Sequence, residues 1–169
     1  VQVTILVAMD KNNAIGKNNT LPWRISEDLK RFKQRTSNGV IIMGRNTWDS
    51  LPFKPLPNRV NVVLSSQGRV KGTDYTASSL EDAIDFARTF DKEEIFIIGG
   101  SRVYKEALDK DFVDTIISTQ LISYEVQQAD AFFPIIDETK FLHKKATSLC
   151  YEKDYGEVLE IQYSKNRIL

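Results

Sequence analysis

Asp28 places a carboxylate where the surrounding pattern calls for an apolar residue. Residues 21–36, LPWRISEDLKRFKQRT, read as a helix: Pro22 disfavours helix immediately before it, and Ser26 is a good cap for one starting just after. At about 100° per residue, Ile25, Asp28, Leu29, Phe32 and Thr36 fall within about 100° of one another. Arg31 and Arg35 flank that stripe on the Asp28 side, while Glu27, Lys30, Lys33 and Gln34 point elsewhere. A carboxylate facing a core or a cleft must find a partner or take up a proton, so Asp28 is suited to proton chemistry with something bound beside it. A plainer role also stands: acidic residues in a first helical turn oppose the macrodipole, as Glu27 does from the solvent side.

A second pattern is suited to binding anions. GRNT at Gly44 and GGSR at Gly99 each follow an apolar run and open a helix, which puts backbone N–H groups where an anion binds readily. Arg45 and Arg102 add a cation beside each, and Ser65-Ser66 lies between the two in sequence. Neither site has Walker or dinucleotide-fingerprint spacing, and a glycine after a strand is often only a turn. Together they point to an extended, phosphate-rich ligand such as a doubly anionic dinucleotide. The intervening stretch DKNNAIGKNNT, residues 10–20, is long for a strand-to-helix connection; it reads either as a lid that closes over a ligand or as an ordinary surface loop.

The elements that must hold these groups alternate. Apolar, β-branched runs at 3–9, 40–43, 60–64, 94–98 and 115–121 predict strands buried on both faces. Between them, RNTWDSL and SRVYKEAL read as helices, and SSLEDAIDFARTF carries a capping box of Ser78 and Glu81 with Leu80, Ala83, Ile84 and Ala87 on one stripe. Pro52, Pro55 and Pro57 make SLPFKPLPNR a stiff exposed loop. Beyond Pro134 two β-like stretches, 144–152 and 158–163, form a hairpin around Gly156. The expected fold is α/β: one domain over residues 1–169, with a twisted, mostly parallel central sheet, an antiparallel C-terminal hairpin at its edge and helices on both faces. Ligands in such sheets lie at the carboxyl ends of the strands, here Ala8-Met9, Gly44-Arg45, Ser65-Ser66 and Gly99-Gly100.

Composition narrows the function classes. With 23 Lys plus Arg against 23 Asp plus Glu, the formal net charge is zero, which argues against an electrostatic nucleic-acid binder. The apolar start VTILVAM has no basic flank and is too short for a membrane span or a secretory signal. Cys150 is the sole cysteine, which suits a reducing cytoplasm and a small buried apolar role rather than a reactive thiol. His143 has no Cys, His or acidic partner at ligand spacing, so no metal site is expected.

AIGKNNTLPW, SEDLKRFKQRT, VIIMGRNTWDSLPFKPLPNR, VVLSSQ, IFIIGGSRVYKEAL and DAFFP together resemble dihydrofolate reductase, in the family's order and spacing across essentially the whole chain. Asp rather than Glu at position 28 resembles the bacterial branch. The loop near Phe53, one residue longer than the commonest bacterial form, and the slightly long loop 122–131 depart from it.

The resemblance implies hydride transfer from NADPH to C6 of 7,8-dihydrofolate with protonation at N5. Asp28 would accept hydrogen bonds from the pterin 2-amino group and N3 and promote that protonation through water. Thr119 would support Asp28 through its hydroxyl and water, and Trp23 would hold an ordered water near the pterin. Leu6, Val7, Ala8, Leu29, Phe32, Leu51, Leu56 and Ile98 would wall the pterin and benzoyl ring, Arg59 would clamp the glutamate α-carboxylate, and Tyr104 would lie near the nicotinamide.

For NADPH, the resemblance assigns Gly44, Arg45, Asn46 and Thr47 to the pyrophosphate and adenosine side. Leu64, Ser65, Ser66 and Gln67 would flank the adenosine, with Arg45 and Ser66 on the 2′-phosphate. Gly99 and Gly100 would be joined by a cis peptide, and Ser101, Arg102, Val103 and Tyr104 would continue along the phosphates. Ala8 and Ile98 would touch the cofactor as well, and Ile15, Gly16 and Leu21 would form the lid. The family also implies a cytoplasmic monomer that antifolates inhibit. Two other readings compete with this one: a pyrimidine reductase of riboflavin synthesis on the same fold, and an inactive nucleotide-binding relative.

Overall fold

Alternation within one strand decides which layer each helix covers. A computed structural model describes residues 1–18, 20 and 23–165. In β1 (Gln2–Asp10), Val3, Ile5, Val7 and Met9 pack on one face of the sheet, and Leu6 on the other. The first face is covered by α3 (Leu80–Arg88), through Leu80, Ala83, Ile84 and Ala87, and by α4 (Ser101–Asp109), through Val103, Tyr104 and Ala107. The second receives Phe32 of α1 (Ser26–Thr36) and Trp48 of α2 (Arg45–Ser50). Strands clad on both sides in this way must be apolar throughout, as Val40, Ile41, Ile42 and Met43 are, all fully buried.

The remaining strands are β2 (Ala14–Gly16), β3 (Val40–Gly44), β4 (Val60–Leu64), β5 (Tyr75–Ala77), β6 (Glu94–Ile97), β7 (Thr115–Leu121), β8 (Ala131–Phe132), β9 (His143–Glu152) and β10 (Gly156–Ser164). The main sheet runs β5-β4-β3-β6-β1-β7-β10-β9. It is parallel from β5 to β7, and β10 then pairs antiparallel with both β7 and β9. Gly156 turns the β9–β10 hairpin at φ +82°, a conformation in which a side chain would be strained. Helices on both faces and an antiparallel hairpin at one edge are the expected architecture.

Two helix starts differ from expectation. α1 is entered through Ile25, not Ser26, with no side-chain cap; Ile25 is buried with Trp23, Leu121 and Val158, so apolar anchoring sets the start. At α3 the cap lies one residue later than expected: Ser79 Oγ accepts from Asp82 N at 3.0 Å, and the Asp82 carboxylate takes Ser78 N at 3.2 Å and the Tyr75 hydroxyl at 3.0 Å. Tyr75 selects Asp82 over Glu81 for this role. Ile98 lies just past β6, although its N–H still reaches Ile42 O at 2.9 Å. The short strands β2, β5 and β8 carry too few residues for a periodic signal. Among the described residues, no helix is long and apolar enough to cross a membrane.

Candidate active site

The Asp28 side chain meets Thr119 of β7, whose hydroxyl donates to Asp28 Oδ1 at 2.6 Å. The hydroxyl contact between the two residues is direct. Burial raises the Asp28 carboxyl above its ordinary range; the Thr119 hydrogen bond works against that, and the charge of Glu160 adds to it. The face of the sheet that receives α1 also carries apolar residues that are neither core nor surface: Phe32, Leu51, Leu56 and Ile98 are half-buried against the layer containing Leu6 and Trp48. Ala8 is half-buried against Trp23 and Ile25, and Leu29 is 43% exposed. Half-buried apolar side chains on the same side of the sheet as a half-buried carboxylate suit the wall of a crevice. Val7 does not share it, because its side chain packs in the opposite layer with α3 and α4.

Arg59 lies further along this side. Its Nε donates to Pro57 O at 2.9 Å and its Nη1 to Thr36 Oγ1 at 3.1 Å, and burial lowers its proton affinity. Both acceptors are neutral, so the guanidinium charge is oriented but not compensated by them. Trp23 is buried, and its Nε1 has no hydrogen-bond partner among the described residues.

The glycines at the ends of β3 and β6 meet. Gly44 N donates to Gly99 O at 2.8 Å, and the Gly99–Gly100 peptide is cis. Gly99 has φ +133°, and a Cβ there would stand 3.0 Å from Thr47 Oγ1; one at Gly44 would stand 3.0 Å from Val103 Cγ2. Gly100 caps α4 without a side chain, and no acidic residue lies in that helix's first turn, where Ser101 is half-buried and Arg102 exposed. Tyr104 is buried beneath, its hydroxyl donating to Leu6 O at 2.7 Å; burial pushes its phenol well up, with Asp28 adding. Arg45 is turned to Asp49, Nε to Oδ1 3.2 Å, on the exposed side of α2. Ser65, Ser66 and Gln67 follow β4, with Gln67 N on Ser65 Oγ at 3.2 Å, and Leu64 is half-buried. Asn46 is exposed on α2.

Among residues 10–20, those described are more structured than a surface loop. β2 pairs with β8, Asp130 Oδ2 accepts from Asn18 N at 2.9 Å, and Asp130 N donates to Gly16 O at 3.2 Å. Ile15 packs against the main core, and Leu21 lies outside the described residues. Asp10 and Glu160 were not singled out in the sequence. Asp10, 2% exposed, accepts from Asn12 N, Ala14 N and Val126 N at 2.8, 2.9 and 2.8 Å. Glu160 is bound by Arg31 and Arg35. Asp10 ends an apolar run and Glu160 follows Val158-Leu159 and precedes Ile161, a weak signal in each case. His143 and Cys150 lie on β9, and burial pushes the Cys150 thiol up. No cluster of His, Cys, Asp or Glu suited to a metal occurs among the described residues.

A family model described as dihydrofolate reductase matches residues 2–165. The dihydrofolate reductase of Neisseria meningitidis serogroup A is 40% identical over 156 residues, covering 87% of this chain and 88% of that one. That of Haemophilus influenzae is 41% identical over 131 residues, covering 78% of each. A bifunctional dihydrofolate reductase-thymidylate synthase of Paramecium tetraurelia is 40% identical over 118 residues, and the chain spans only 25% of that protein's length. A match over nearly the whole chain, with bacterial relatives aligned over most of their own length, shows that the chain belongs to the dihydrofolate reductase family.

Proposed function

We propose that this protein reduces 7,8-dihydrofolate to 5,6,7,8-tetrahydrofolate with NADPH, and that Asp28 promotes protonation at N5. One observation carries the reading: a carboxylate whose proton affinity is raised by burial is held by a 2.6 Å hydrogen bond from Thr119, on the helix that brings Phe32 to a layer of half-buried apolar residues. A flat, donor-rich heterocycle suits that place, with its 2-amino group and N3 donating to the free side of the Asp28 carboxylate. A raised proton affinity keeps the same group protonated to higher pH than an ordinary aspartate, which suits it to promoting protonation. Trp23 Nε1 is a donor suited to the water that delivers the proton.

Phe32, Leu51, Leu56, Leu6 and Ile98 keep bulk water from the reacting faces and hold them together, which is most of what hydride transfer asks of a protein. The Arg59 fork, oriented by Pro57 and Thr36, fits the glutamate α-carboxylate bidentately. NADPH supplies the hydride when bound. The chain's own residues fit that group: α4 opens on a glycine with no acid in its first turn, and side chains at Gly44 and Gly99 would crowd Val103 and Thr47. Arg45 and Ser66 would select the 2′-phosphate, Arg45 exchanging its contact with Asp49 for it. Ile15 and Gly16, with Leu21, would close over the nicotinamide, and 2,4-diaminopyrimidine antifolates would bind through Asp28.

The test is steady-state oxidation of NADPH by the purified chain, with and without dihydrofolate. Dihydrofolate-dependent turnover is expected; a folded sample that binds NADPH and turns over no dihydrofolate overturns the reading.

A further inference from the structure

Glu160 is a buried acid that the proposed chemistry does not use. Its side chain is 11% exposed, whereas the acidic partners in the other described ion pairs are 39% to 63% exposed. Arg31 Nη1 reaches it at 3.2 Å and Arg35 Nη2 at 2.9 Å, both from α1. A buried ion pair is a poor device for stability alone, since an apolar residue there often serves as well. Its location suggests another use. In the sheet, Glu160 of β10 stands directly opposite Thr119 of β7, the residue that donates to Asp28. On the helix, Arg31 and Arg35 lie one turn apart on the side of α1 that carries Asp28. Glu160 is therefore joined to Asp28 by two routes, one through each element that holds it.

We propose that Glu160, clamped by Arg31 and Arg35, is a positioning residue for Asp28, fixing α1 against β10 at the height where the Asp28 carboxylate meets Thr119. The proposal rests on the reading of Asp28 as the group that promotes protonation. The negative charge of Glu160 also favours the protonated form of Asp28, a smaller contribution than burial but in the same direction. The groups around Glu160 come from three elements. α1 contributes Asp28, Arg31 and Arg35, with Glu27 next to Asp28. β7 contributes Thr119 and no charged residue. β9 contributes Thr147 directly opposite and Lys145 two pairs along, opposite Gln162; it also carries Cys150, whose thiol is held up by burial and by the charges of Glu152, Glu27 and Asp28.

Glu160→Gln keeps the shape and removes the charge, leaving Arg31 and Arg35 to act on Asp28 uncompensated. Asp28 then gives up its proton at lower pH. Where the reaction depends on protonation, the midpoint of the rate-against-pH profile moves down by about half a unit, and hydride transfer one unit above the midpoint slows about threefold. Arg35→Met leaves Glu160 less compensated and moves the same midpoint up. An ion pair uncoupled from Asp28 would lower stability in both variants and move neither midpoint.

The experiment pairs stopped-flow hydride transfer across pH with a 13C NMR titration of the aspartate carboxylates, Asp28→Asn identifying the Asp28 signal. Opposite shifts in the two variants, seen in both readouts, support the proposal. An Asp28 signal that titrates alike in wild type and both folded variants overturns it. Should Glu160→Gln fail to fold, Arg35→Met decides alone: an upward shift supports the role, and no shift overturns it. If the Asp28 signal shifts but the wild-type rate does not follow its titration, the proton-promoting reading of Asp28 falls and takes the positioning role with it. That result differs from a failure of the Glu160 coupling, in which the rate follows Asp28 and ignores Glu160.

Discussion

Helices α3 and α4 are both nine residues long and both pack on the same face of the sheet, yet their first turns are opposites. α3 closes its own end: Ser79 caps Asp82 N, and Glu81 and Asp82 set negative charge against the dipole. α4 opens on Gly100 with no side-chain cap and no acid, at the place where Gly99, Thr47 and Gly44 come together. α3 settles its terminal N–H groups with its own side chains, and α4 does not. α1 shows a third arrangement, with acids in its first turn that are divided between solvent, at Glu27, and the crevice, at Asp28.

The sharpest separation of the α1 end from the α4 end is Asp28→Asn. Hydride transfer at neutral pH should fall about 100-fold, a barrier change of about 2.7 kcal/mol, with part regained in acid and NADPH affinity kept. A loss of less than about twofold, measured by stopped flow, would remove Asp28 from the chemistry. Next in size, Ser101→Asp gives α4 the kind of first turn α3 has. The dissociation constant for NADPH, read by fluorescence titration, should rise at least tenfold, about 1.4 kcal/mol, while thermal stability holds or improves slightly. Wild-type affinity in that variant would erase the distinction between the two helices.

Ser79→Ala makes the reverse change on α3. It should lower unfolding free energy by about 1 kcal/mol in a urea titration and leave NADPH binding untouched. The smallest effect concerns pH. Because the folded Asp28 carboxyl is raised by burial, the native state holds its proton where the unfolded chain has lost it. That stabilisation is fully present below the ordinary aspartate range and fades as pH rises through the raised value. The stability of Asp28→Asn relative to wild type should therefore be greater at pH 8 than at pH 4, by the same urea titration. An equal difference at both would mean the carboxyl is not shifted.

Much of this was legible in the sequence, for identifiable reasons. The doubly covered strands announced themselves because burial on both faces demands unbroken apolar runs, and the stripe of α3 did so because Leu80, Ala83, Ile84 and Ala87 all pack inward. The apolar stripe of α1 was read correctly but only half of it is buried: Ile25 and Thr36 are, whereas Leu29 is exposed and Phe32 intermediate, so that face is not fully covered. Periodicity cannot distinguish a wall from a core. Partnerships across long separations were out of reach. Glu160 and Arg31 lie 129 positions apart, and Asp10 and Val126 lie 116 apart, so only the register of β7 against β10 and β1 brings them together.

That register places a burden on the end of the sheet. β10 is the last strand of the sheet to be synthesised, yet it is an interior strand, inserted between β7 and β9 rather than added outside them. Everything from β3 to α4 leaves the ribosome well before it, so a nascent chain has made every residue of the Gly44–Gly99 junction while Asp28 still lacks its neighbour Glu160. The Gly44–Gly99 junction is thus complete in synthesis before the Glu160 end of the sheet, and a chain stopped short of Gly156 would carry the first without the second.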